Sequence, residues 1–152
     1  MEPLQEQWLS LGGLVLSSFL SATILPGSSE AVLTAVLVRT PELGALSVLL
    51  ATLGNTLGGM TTYGMGFFLP SRVQARLSAR VLAGAQRWGA LSLLLSWVPG
   101  VGDGLCLAAG WLRLPILPVF LCMILGKALR YGVLAAGVLW WVQTPSSISG
   151  LE

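Results

Sequence analysis

The chain has 152 residues, of which 55% are hydrophobic and only 9% are charged, and its net charge is +2. Soluble domains carry about a quarter charged residues, so this composition excludes a soluble globular protein and is typical of an integral membrane protein. The small net charge argues against nucleic acid as a partner. The sequence has no histidine and only two cysteines, so it predicts neither a metal site nor a cofactor.

The first apolar stretch, residues 14–38, is interrupted at its centre by Pro26 and Gly27. Proline and glycine together favour a tight reversal of the chain. The arms on either side are mostly about 8 to 12 residues long and reach about halfway through a hydrocarbon core of roughly 30 Å. This pattern predicts a re-entrant helical hairpin whose tip includes Ser28. The alternative is one kinked helix over residues 8–37, about 45 Å long, which would place Glu30 in lipid.

Residues 46–69 are apolar and long enough to form a transmembrane helix. The connector that follows, residues 70–88, has no acidic residue. Its basic residues predict an amphipathic helix on the cytoplasmic membrane surface, facing anionic headgroups. A plain positively charged cytoplasmic loop is the alternative. The basic residues are Arg72, Arg76, Arg80 and Arg87.

The second half repeats this order. Residues 90–112 are interrupted by Pro99 and Gly100, which predicts a second re-entrant hairpin with Gly102 at its tip. Residues 116–142 predict a second transmembrane helix. A polar tail, residues 143–152, ends the chain.

Three matches support an internal repeat. Residues 26–30 and 99–103 both read Pro-Gly, two further residues and an acid, at an offset of 73. Two more pairs follow in the same order, at offsets of 74 and 72. They are residues 39–41 with 113–115, and residues 53–57 with 125–129.

Each copy contains one hairpin and one crossing helix, so the second copy must be inverted relative to the first. The expected fold is therefore an all-α membrane protein with a single domain, residues 1–152, built from two inverted repeats, about 8–69 and 89–142. Secondary transporters share this plan and bind substrate between the repeats. The alternative is that the duplication only builds a stable bundle.

Four ionisable residues fall within the predicted membrane segments: Glu30 and Asp103 after the two tips, and Lys127 and Arg130 on one face of the last helix. Such groups are costly unless they are paired or hydrated. One interpretation is a charge-balanced network that fixes the hairpins to the last helix. A compatible one is a polar passage in which the bases hold a headgroup phosphate and an acid takes up a proton. Asn55 occupies the repeat position of Lys127 and completes the candidate site.

A row of small residues, Gly54, Gly58 and Thr62, predicts a close helix-packing face on the first crossing helix. The sequence offers no basis for an enzyme, since it lacks histidine, a metal-ligand cluster and a phosphate-binding loop.

The two hairpins, the segments 87–89 and 95–103, and the pattern Ala109-Gly110 followed by Arg113 and Pro115 together resemble the DedA (SNARE-associated, VTT-domain) membrane proteins over about residues 10–141. The resemblance implies a multi-pass protein of the bacterial inner membrane that translocates lipids, including undecaprenyl phosphate and phospholipids, with dependence on the proton gradient in some members. The chain departs from the usual pattern in having Ser96-Trp97 where members carry an arginine-aromatic pair, Gly102 where they carry another arginine, and Ser28 where they carry glutamate.

We therefore expect a lipid or lipid-phosphate translocase, of the flippase or scramblase kind and with proton coupling as one form. Its partners would be membrane lipids, recognised through their phosphate headgroups, and protons. The sequence leaves a homo-oligomer open. The alternatives are a small-ion or solute transporter of the same architecture, and a structural or assembly protein that transports nothing.

Overall fold

The computed structural model describes residues 2–22, 28–68, 78–98 and 101–144, and these residues form helices and short connections without a strand. Several expected features lie outside the described residues. They are the tip residues Pro26, Gly27, Pro99 and Gly100, the arginines Arg72 and Arg76, and the tail from residue 145 onward.

Six α-helices and two 3-10 segments make up the described part of the chain. The two long apolar stretches, Pro41–Phe67 and Ile116–Gln143, are helical and are long and apolar enough to cross a membrane, so both predicted crossing segments are candidate membrane-spanning helices. In order, the elements are α1 (Glu2–Ser21), α2 (Ser28–Arg39), a 3-10 turn (Pro41–Leu43), α3 (Gly44–Phe67), α4 (Ala79–Trp88), a 3-10 segment (Gly89–Trp97), α5 (Val101–Trp111) and α6 (Ile116–Gln143).

Helices α1 and α2 form an antiparallel pair. Gln7 and Ser10, near the start of α1, line the same cleft as Arg39 and Thr40 at the end of α2. The chain therefore reverses between the two helices, and the alternative of a single kinked helix is wrong.

Two of the four segments expected as hairpin arms differ from the prediction, one in its length and one in its helix type. Helix α2 has 12 residues and α5 has 11, as expected, but α1 has 20. The extra length comes from polar N-terminal residues, because glutamate and glutamine are strong helix formers that an apolar pattern does not reveal. The first arm of the second hairpin is a 3-10 helix of nine residues. At a rise of about 2 Å per residue it spans roughly 18 Å.

The two expected hairpins pack on the long helices α3 and α6 in a crossed arrangement. The first arms pack on the long helix of their own half, α1 on α3 and the 3-10 segment on α6. The second arms pack mainly on the long helix of the other half, α5 on α3 and α2 on α6, although α2 also makes a smaller contact with α3. Because α3 and α6 also contact each other, neither half can bury its apolar surface without the other.

The packing face predicted on α3 is confirmed. A Cβ atom on Gly54 would lie 2.7 Å from the carbonyl oxygen of Val15 in α1, and one on Gly58 would collide with the carbonyl oxygen of Phe19. The Thr62 hydroxyl donates to the carbonyl of Ala22 at 3.2 Å. The backbones of α1 and α3 therefore approach closely only because these α3 residues are small.

Glycines also allow close backbone contacts in the second half of the chain. A Cβ atom on Gly126 of α6 would lie 2.7 Å from the carbonyl oxygen of Leu94. Where α3 and α5 meet, Gly110 lies directly against the carbonyl of Tyr63. The Tyr63 hydroxyl donates to the carbonyl of Leu114 at 2.7 Å. This bond holds α3 to the segment that follows α5.

We expect Gly110→Ala to lower the stability of the protein by roughly 1–3 kcal/mol, the usual cost of adding atoms to a tightly packed site. The measurement is thermal unfolding of the purified protein in detergent, followed by circular dichroism. Gly137→Ala is the matched control, because a Cβ at Gly137 meets nothing within 4 Å. Equal stability of the two variants would contradict the close contact.

Candidate functional site

A polar layer crosses the bundle between two apolar clusters. On α6 the clusters contribute Met123 and Tyr131, and Lys127 lies between them. Asn55 lies near the middle of α3, and its carbonyl faces the Lys127 side chain. The polar layer therefore coincides with the central part of both candidate membrane-crossing helices.

The structure joins the acid of the first hairpin to a base of the last helix. The Nε of Arg130 donates to Oε1 of Glu30 at 2.6 Å, and Nη2 of the same guanidinium contacts the same oxygen. Glu30 stands in the first turn of α2, where the helix dipole favours a negative charge. This ion pair binds the start of α2 to the middle of α6.

Lys127 is more deeply buried than Arg130, with 2% of its surface exposed. Its Nζ donates to the backbone carbonyl of Asn55 at 2.5 Å. Gly59 provides the space, since a Cβ there would lie 2.8 Å from Nζ. The ammonium is thus held by a backbone dipole of α3.

The Asn55 side chain turns away from Lys127. Its Nδ2 donates to the carbonyl of Ser18 at 2.9 Å and to the hydroxyl of Ser21 at 2.8 Å, both on α1. Asn55 therefore supports Lys127 through its backbone and fastens α3 to α1 through its amide group.

Asp103 lies in the first turn of α5 and is partly buried. It interacts electrostatically with both Lys127 and Arg130. Within the described ranges, however, the ion pair closer than 4 Å is that of Glu30 with Arg130. Of the tip residues, Gly102 packs directly against the backbone of Ser96, and Ser28 begins α2. The two hairpin acids thus occupy similar positions but differ in their pairing.

Tyr131 is a site residue that sequence reasoning missed. It is fully buried, and its hydroxyl shares a hydrogen bond of 2.8 Å with the hydroxyl of Ser29. Ser29 directly precedes Glu30 in the chain, and Tyr131 directly follows Arg130. This bond therefore holds α2 and α6 together beside the ion pair. The two residues are 102 positions apart, and no local pattern signals the contact.

The ion pair lies in a cleft of about 520 Å³ whose other lining residues are apolar. Leu129 and Val133 on its rim are 65% and 66% exposed, so the cleft opens sideways from the bundle. Such a site can receive a charged group whose apolar part stays outside. The full lining is Glu30, Trp97, Leu129, Arg130, Val133 and Leu134. The described residues contain no group of three potential metal ligands among histidine, cysteine, aspartate and glutamate.

The described part of the basic connector is a helix, α4, with Arg80 and Arg87 exposed and Ala85 fully buried. Its apolar side packs on α5 and on the 3-10 segment. The expected amphipathic helix is therefore confirmed over Ala79–Trp88, while its placement on a membrane surface stays a prediction.

Comparison with known proteins identifies close relatives. The chain is 50% identical over 137 residues to a protein of Escherichia coli K12 named inner membrane protein YqaA. The alignment covers 88% of this chain and 96% of that protein. The protein of the same name from Shigella flexneri gives the same values. An uncharacterized protein of Haemophilus influenzae is 43% identical over 130 residues, with 80% and 83% covered. No family model and no solved structure matches the chain.

We expect Arg130→Gln to lower the stability by roughly 1–3 kcal/mol, because it leaves the Glu30 carboxylate without its partner. The double variant Glu30→Gln with Arg130→Gln should recover most of this loss, since it removes both charges. A double-mutant cycle on unfolding in detergent measures the coupling. Strictly additive effects would show that the two side chains do not depend on each other.

Proposed function

The chain belongs to the family of the inner membrane protein YqaA, and from the sideways-opening cleft at Arg130 and the resemblance to the DedA proteins we propose that it moves lipids or lipid phosphates across the membrane. It is a protein of the bacterial inner membrane. The observation that carries the proposal is the Glu30–Arg130 ion pair at the base of an apolar cleft.

A lipid that changes leaflet must carry its phosphate through the membrane centre while its chains stay in hydrocarbon. A cation that is reached from the side serves this purpose, and arginine binds phosphate through two parallel hydrogen bonds. In our proposal the headgroup phosphate takes the place of the Glu30 carboxylate on Arg130. Lys127, three residues earlier on the same helix, supplies the second positive charge.

The same exchange provides a link to protons. A carboxylate that has lost its cationic partner inside the membrane is strongly destabilised, so Glu30 would take up a proton when the phosphate arrives. Asp103 occupies the matching position in the second hairpin and would serve in the same way when the cleft opens to the other side.

We further propose that the two hairpins are re-entrant and the two halves are inverted repeats, as in the DedA family. Helices α2 and α5 have 12 and 11 residues, about 18 and 17 Å, which is too short for a hydrocarbon core of roughly 30 Å. The crossed packing of the second arms on α3 and α6 supports a pseudo-twofold relation. Movement of one half against the other would then expose the cleft to each leaflet in turn.

The sideways opening favours a lipid over a soluble solute or a small ion, because neither of those gains from a route through the hydrocarbon. The remaining rival is a structural protein in which the charges only hold the helices together.

We expect purified protein in liposomes to accelerate movement of fluorescent lipids between leaflets, and Lys127→Ala with Arg130→Ala to abolish it, because both phosphate-binding cations are lost. The assay uses a phospholipid and a polyprenyl phosphate, each with and without a pH gradient. Arg113→Gln is the control, since it removes an exposed positive charge that stacks on Phe67, away from the cleft. Full activity of the double variant would refute the assignment of the two bases.

A charge exchange tests the structural rival. Glu30→Arg with Arg130→Glu keeps the net charge and allows the ion pair to re-form. We expect the exchanged protein to fold but to lose lipid movement, because the phosphate-binding guanidinium is then on α2 instead of α6. If the exchanged protein still moves lipid at the original rate, the pair serves only to hold the helices together.

A further inference from the structure

A second cleft, separate from the Arg130 site, lies between α4, the 3-10 segment and α5. Its volume is about 720 Å³, within the range of roughly 300–1,000 Å³ found for small-molecule sites. On α4, three of its lining residues recur every four positions and a fourth, Val81, lies beside them, so they form one stripe of the helix. The residues that matter below are Arg80, Gly84, Trp88, Leu91, Leu95 and Val101.

The inside of this cleft is apolar and lies open. Leu91, Leu95 and Val101 are 58%, 51% and 43% exposed, and a Cβ built on Gly84 meets nothing within 4 Å. Arg80 is the charged residue of the lining. The cleft thus combines one cationic position with a continuous apolar floor.

Among the described residues that line the cleft, the charged one is Arg80. The described part of the connector, residues 78–88, adds Arg87 and contains no acid, and the 3-10 segment has no charged residue. The acid of α5, Asp103, does not line the cleft, because it lies two positions from Val101 on another side of the helix. Clusters of basic residues beside membrane segments attract anionic lipids.

We propose that this cleft binds one molecule of an anionic diacyl phospholipid of the phosphatidylglycerol class, with its phosphate at Arg80 and one acyl chain along Leu91, Leu95 and Val101. An anionic headgroup fits better than a zwitterionic one, because none of the described residues that line the cleft has a carboxylate to receive an amine. The bound lipid would fasten α4 to the second hairpin. The site does not depend on whether the protein moves lipids between leaflets.

The test is native mass spectrometry of the purified, delipidated protein in detergent, titrated with phosphatidylglycerol or with phosphatidylethanolamine of the same acyl chains. We expect one phosphatidylglycerol to bind at least about fivefold more tightly than phosphatidylethanolamine, the contribution expected of one surface arginine. Arg80→Gln should remove this preference. Gly84→Leu should block binding of the acyl chain, because its side chain extends into the open space of the cleft.

Each variant has a matched control. Arg87→Gln removes the same charge from the same helix outside the lining and should have the smaller effect. Gly137→Leu adds the same side chain at an open position of α6 and should leave lipid binding intact. Arg80→Lys keeps the charge and should retain most of the binding, which separates loss of the phosphate contact from misfolding.

Three results would overturn the proposal. They are equal affinity for the two lipids, equal losses for Arg80→Gln and Arg87→Gln, and undiminished phosphatidylglycerol binding by folded Gly84→Leu. The first two would mean that attraction is non-specific or spread over the whole helix, and the third would mean that the acyl chain lies elsewhere.

Discussion

Two positive charges in the middle of α6, a helix long enough to cross a membrane, constrain the rest of the molecule. Such charges are tolerated only when partners reach them inside the bundle. Arg130 is met by a carboxylate at the start of α2 and Lys127 by a backbone carbonyl in the middle of α3. The first of these contacts places the carboxylate in the first turn of α2, where the helix dipole also favours its negative charge.

Close backbone approach makes the second contact feasible. Lys127 reaches the carbonyl of Asn55 because Gly59 leaves room for its ammonium group. Gly54 and Gly126 occupy matching positions of the sequence repeat, and a Cβ atom on either one would lie 2.7 Å from a carbonyl oxygen, that of Val15 in α1 or that of Leu94 in the 3-10 segment. Small residues at these positions let helix backbones pack tightly without a hydrophobic driving force. The polar layer thus depends on the small-residue contacts, because these bring backbone dipoles close enough to stabilise buried charge.

The sequence predicts the features that depend on local signals. Apolar length identifies α3 and α6, the Pro-Gly pairs mark the breaks, and the charges stand out within apolar segments. Pairing depends on the fold instead: Glu30 and Arg130 are 100 positions apart, and the repeat alone would equally have allowed Asp103 as the partner. The N-terminal extension of α1 is hidden because its first residues are polar. The 3-10 form of Gly89–Trp97 is hidden because the same apolar residues suit an α-helix.

The two clefts differ in a way that fits the two proposed roles, lipid transport at Arg130 and stable lipid binding at Arg80. An unpaired arginine deep in a membrane would be costly when empty and would release a phosphate slowly. Pairing with Glu30 lowers the cost of the empty state and gives the departing phosphate a competitor, so that binding and release become nearly balanced. Arg80 is exposed, and no acid is among the described residues that line its cleft, so water stabilises it when the cleft is empty and no lining carboxylate would compete with a bound phosphate. In the proposed roles, the site that releases its lipid thus has both charges, whereas the site that keeps its lipid has only one.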